Sequence, residues 1–125
     1  MCCGTAGIIS WRIHAQAVAP EFLEHATEEQ EHADRIAHRI TQLGGAPDFN
    51  PGGLATRSRK ECVEGRELVD MIREDLVAER VAIGSYGEII RYLGENDPTT
   101  RRMLEEILAV EEEHAEDLQA MMQKA

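Results

Sequence analysis

Residues 28–35 read Glu28-Glu29-Gln30-Glu31-His32-Ala33-Asp34-Arg35, and residues 111–114 read Glu111-Glu112-Glu113-His114. Each stretch holds a Glu-x-x-His step, Glu29 to His32 and Glu111 to His114. Three residues is just under one helical turn, so both side chains of a step project the same way from a helix. A carboxylate and an imidazole can then converge on one ion. Such a step on a solvated acidic face would mean little, so the helix face decides.

The apolar residues around each step set that face. A first helix is expected from about Ala17 to Leu43, with Pro20 in its first turn and Gly44-Gly45 as its stop. Its apolar positions are Phe22, Ala26, Ala33, Ile36, Ile40 and Leu43, a helical stripe. The series 22, 26, 29, 33, 36 places Glu29 on the stripe. A loop with Pro47, Pro51 and Gly52-Gly53 follows, long enough to join parallel neighbours.

A second helix, from about Lys60 to Leu93, carries Leu68, Ile72, Leu76, Ile83, Tyr86, Ile90 and Leu93 inward. The series 72, 76, 79, 83 places Glu79 among them. Asp97-Pro98 reads as an N-cap with a first-turn proline. The third helix runs to about Met122, with Leu104, Ile107, Leu108, Leu118 and Met121 inward. There the series 104, 107, 111, 114, 118 includes Glu111 and His114. A carboxylate in a core costs several kcal/mol unless it is paired or bound to a cation. Three such residues, one per helix, point to a shared metal site.

Composition narrows the function classes. The 125 residues suit one domain with a modest core, and the profile is 42% hydrophobic and 30% charged. Aromatics are 4%, and Glu, Ala, Leu, Ile and Arg favour helix over strand. A formal net charge of -11 argues against nucleic acid or an anionic membrane as partner and suits cations. No stretch approaches the length of a membrane helix, and the patch Ile8, Ile9 and Trp11 is short for a leader, so a cytoplasmic location is expected. Cys2, Cys3 and Cys62 form no framework of disulfides or structural zinc.

Residues 28–35 and 111–114, with Asp75-Leu76-Val77-Ala78-Glu79, resemble the second, fourth and third helices of the bacterioferritin-type branch of the ferritin-like di-iron proteins. The likeness covers about Ile13 to Ala125 and includes the long loop. It implies an all-α fold, a ferritin-like four-helix bundle here cut to three long helices with a crossover loop after the first. It implies Glu29 and Glu111 as bridging carboxylates of a di-iron centre, His32 on one ion, and Glu79 with His114 on the other. Iron is the implied metal, with manganese fitting the same donors. The implied activity is Fe(II) oxidation with oxygen or peroxide and iron storage by a homo-oligomer. Haem of the family's type is not expected, because Gln30 stands where the family has a methionine ligand.

The opening departs from the family. The first twenty residues hold no Asp or Glu, in a chain with 24 acidic residues. The family's first helix supplies a terminal Glu to the ion held by His32, and this sequence offers none before Glu21. Residues 1–16 are therefore read as an irregular segment, a frameshift remnant of that helix, ahead of a helical domain at 17–125. The expectation is one retained metal position and one weakened position. His25 is read as mainly structural and partly exposed, Tyr86 as packing, and Asp34 and Asp75 as surface or supporting groups. Two other functions fit the residues less well: a peroxide-reducing di-iron protein, and a non-catalytic helical module with vestigial ligands.

Overall fold

The computed structural model describes residues 15–53 and 67–124, with side chains from residue 18 onward. Among the described residues it contains three long helices and no strand: α1 (Ala15–Gln42), α2 (Leu68–Leu93) and α3 (Pro98–Lys124). The expected irregular opening and frameshift remnant lie almost wholly outside the described residues. The end of the expected loop and the expected start of the second helix near Lys60 fall in residues 54–66, which also lie outside them. The chain divides into two compact units, Met1–Cys62 and Val63–Ala125.

In the first unit α1 begins at Ala15, so Pro20 sits inside the helix rather than in its first turn. It forgoes one intrahelical hydrogen bond there. The helix ends in a Schellman motif. The Gly45 amide donates to the Ile40 carbonyl at 2.9 Å, and Gly44 donates to Thr41 at 3.0 Å. Gly44 has φ 83°, a conformation that side chains disfavour, which explains a glycine at this stop. Beyond it, the Asp48 and Asn50 carboxyl and amide oxygens accept from the Asn50 and Gly52 amides, both at 2.9 Å, and hold the turn.

The second unit is a helical hairpin. α2 stops at Gly94, whose φ is 52° and whose amide donates to the Ile90 carbonyl at 3.1 Å. α3 starts at Pro98, capped by Asp97, whose Oδ1 accepts from the Thr100 amide at 3.0 Å. The Thr100 hydroxyl also donates to Asp97. Arg101 reaches back to the Gly94 carbonyl at 3.2 Å and pairs with Glu105 at 2.8 Å. The hydrogen bond and charge of Glu105 hold its guanidinium above the ordinary arginine range. So short a turn makes α2 and α3 antiparallel neighbours. Between them Ile72, Leu76, Leu104, Ile107 and Leu118 are buried, at about 1.5–3 kcal/mol each. Asp97→Ala is expected to cost about 1 kcal/mol, because it orphans the amides of the first turn; a urea midpoint compared with wild type measures it.

Candidate metal centre

Three buried ionisable residues lie in the hairpin at one level. Glu79 comes from the middle of α2, while Glu111 and His114 come from one turn of α3. Their relative exposures are 7%, 1% and 2%. The same stripes that carry Ile72 and Leu76, and Leu104, Ile107 and Leu118, carry these residues inward. The antiparallel register then brings positions 79, 111 and 114 opposite one another. A cross-helix hydrogen bond from Arg80 to the Gln119 side-chain oxygen, at 3.0 Å, pins that register beside the cluster.

His114 Nδ1 stands 3.5 Å from Glu79 Oε1 and 3.5 Å from Glu111 Oε2. Glu79, Glu111 and His114 each offer a ligand atom, and these atoms lie within 4.8 Å of one another. A spacing of 3.5 Å exceeds a normal N–H···O hydrogen bond of about 2.7–3.2 Å. Two ligands at about 2.1 Å from one divalent ion stand about 3.4 Å apart at the tetrahedral angle. The donor spacing therefore fits co-ligands of one ion, and a set of carboxylates with imidazole suits Fe(II) or Mn(II).

The second Glu-x-x-His pair is on α1, in the other unit. His32 Nδ1 stands 3.8 Å from Glu29 Oε1. The His32 side chain is buried, whereas that of Glu29 is 32% exposed. Glu29 and His32 therefore sit side by side as their spacing requires, though Glu29 is only half-buried. Gln30, one residue on, is exposed, and its amide donates to the Asp34 carboxylate at 3.0 Å.

α1 also corrects the reading of its face. Ala33 and Leu43, expected inward, are exposed, and His25, expected to be partly exposed, is buried at 5%. His25, Glu29, His32 and Ile36 run at the 4-3-4 spacing of one stripe, and that spacing was the signal for His25. Tyr86 is half-buried.

The family model for the ferritin-like domain (Ferritin) matches residues 10–125. This chain belongs to the ferritin-like domain family. Among curated proteins, this ferritin-like chain is 29% identical over 90 residues to a bacterioferritin of Desulfovibrio desulfuricans. That stretch is 71% of this chain and 46% of the relative, so it spans about half the relative's length. Among solved structures, the chain is similar to the bacterioferritin-related protein of Bacteroides fragilis, a dodecameric thioferritin. The TM-score is 0.90 at 32% identity, over 98% of this chain and 74% of that one. Among the described residues, no helix of this ferritin-like chain is long and apolar enough to cross a membrane.

Proposed function

We propose that this chain is an iron-handling ferritin-like protein. It takes Fe(II) at the two Glu-x-x-His pairs together with Glu79, oxidises it, and retains the product. The observation that carries this reading is the convergence of Glu79, Glu111 and His114 in the buried hairpin. Structural ion pairs rarely put two carboxylates and an imidazole at one core level, whereas a cation offsets the cost of burying them. Family membership adds the prior that such a cluster serves iron.

In this reading Glu79 and His114 bind one ion. Glu111 joins them there, and His32 with Glu29 holds the second. The chain's residues fix the two ions, balance their charge with carboxylates and keep bulk water away. Two Fe(II) give up two electrons; with two protons these reduce dioxygen to hydrogen peroxide, or hydrogen peroxide to water. The solved relative's dodecameric assembly supports a homo-oligomer here too.

The test is Fe(II) added under nitrogen to the full chain, followed by air, with the near-ultraviolet ferric–oxo band as readout. Wild type is expected to oxidise iron well ahead of buffer. Glu111→Ala is expected to lose roughly 100-fold or more, since even groups that only support metal ligands cost 10–100-fold. Oxidation at the buffer rate by wild type would refute the reading.

A further inference from the structure

The inward stripe of α1 carries four potential ligands: Glu21, His25, Glu29 and His32. Carboxylate and imidazole alternate along it at steps of four, four and three residues. Each group therefore stands about 4.5–6 Å along the helix axis from the next. Glu29 and His32 belong to the proposed iron centre. Glu21 and His25 have no part in it.

Glu21 and His25 each offer a ligand atom, and these atoms lie within 4.8 Å of each other. Two opposed ligands at about 2.1 Å from one divalent ion stand about 4.2 Å apart. A small side-chain rotation therefore closes this pair on a cation, since an i,i+4 spacing already stacks the two on one side of the helix. Burial grades along the pair: Glu21 is half-buried, and His25 is 5% exposed. A carboxylate at the rim can take up a hydrated cation, and the imidazole behind it replaces a further water. Burying an imidazole costs free energy where a leucine would cost none, and a ligand role offsets that cost.

We propose that Glu21 and His25 form a cation-loading position on α1, which holds one divalent ion with two protein ligands and water. The ion then passes down the stripe to Glu29 and His32. That passage rests on the reading that Glu29 and His32 bind metal; the loading position itself does not.

The test uses Zn(II), which binds such ligands without redox chemistry. The full chain is titrated by calorimetry beside Glu21→Gln, His25→Gln and Glu79→Gln, with circular dichroism confirming helicity. Glu21→Gln and His25→Gln are each expected to weaken the same step at least about tenfold. Glu79→Gln is expected to keep that step and to weaken a different one. Zinc-edge anomalous scattering from soaked wild-type crystals should place an ion between Glu21 and His25.

A step lost in His25→Gln but kept in Glu21→Gln would overturn the pair. So would one lost in Glu79→Gln as well, because His25 would then serve the hairpin cluster. If only Glu79→Gln changes binding, the loading position falls and the iron reading stands. If only the two α1 variants change it, the loading position stands and the iron reading falls. The passage has its own readout. At limiting Fe(II) the initial oxidation rate is expected to fall in His25→Gln while the final amplitude stays the same, and an unchanged rate would overturn it.

Discussion

Glu111→Gln is expected to make the metal-free protein more stable while sharply reducing its response to iron. Glu111 is 1% exposed and lies in a cluster with Glu79 and His114. Two carboxylates and one imidazole leave an excess of negative charge in a place with almost no water. Glutamine keeps the shape and the hydrogen-bonding capacity and removes one charge. Removing one of two like charges this close relieves a repulsion worth about 1–4 kcal/mol. For a chain of this size that is roughly 4 °C in Tm per kcal/mol. Melting curves with and without anaerobic Fe(II) make the comparison. Wild type is expected to melt lower when metal-free and to rise with iron by mass action, while the variant starts higher and rises far less. A variant less stable than wild type without metal would mean that Glu111 serves the fold rather than the ion.

Leu118→Ala is expected to cost about 2–5 kcal/mol, a large part of the 5–15 kcal/mol that stabilises a domain. Leu118 is 0% exposed and lies one turn beyond His114. Its loss leaves a cavity one turn from His114, so metal affinity is expected to fall as well, although Leu118 offers no ligand atom. Urea unfolding should show a lower midpoint with an unchanged slope. Tyr92→Ala is the contrast: that side chain is 87% exposed, and the change is expected to stay within about 0.5 kcal/mol.

The hairpin was legible in the sequence because its stripes are built from large aliphatic residues. Ile72 and Leu76 set the phase of α2, and Leu104, Ile107 and Leu118 set that of α3. A glutamate caught in those series could only point inward. α1 was read less well for a physical reason. Its stripe was judged partly on Ala26 and Ala33, and a methyl group says little about which face is buried. The burial of His25 and His32 places the inward face one position away from Ala33. Leu43 looked like core by spacing, but it stands at the Schellman turn, where the stripe runs out. Helix ends moved by two residues at Ala15 and at Lys124, the ordinary margin for frayed termini. The stop at Gly94 and the Asp97-Pro98 start were readable because each is a local backbone requirement, a positive φ and a capped first turn.

The most direct measurement is anomalous X-ray scattering at the iron edge from crystals soaked anaerobically in Fe(II). A strong peak is expected among the side chains of Glu79, Glu111 and His114, and it should be absent from Glu111→Gln crystals treated alike. No peak at that cluster, with iron bound only to surface carboxylates, would contradict the claim that these buried residues exist to hold iron.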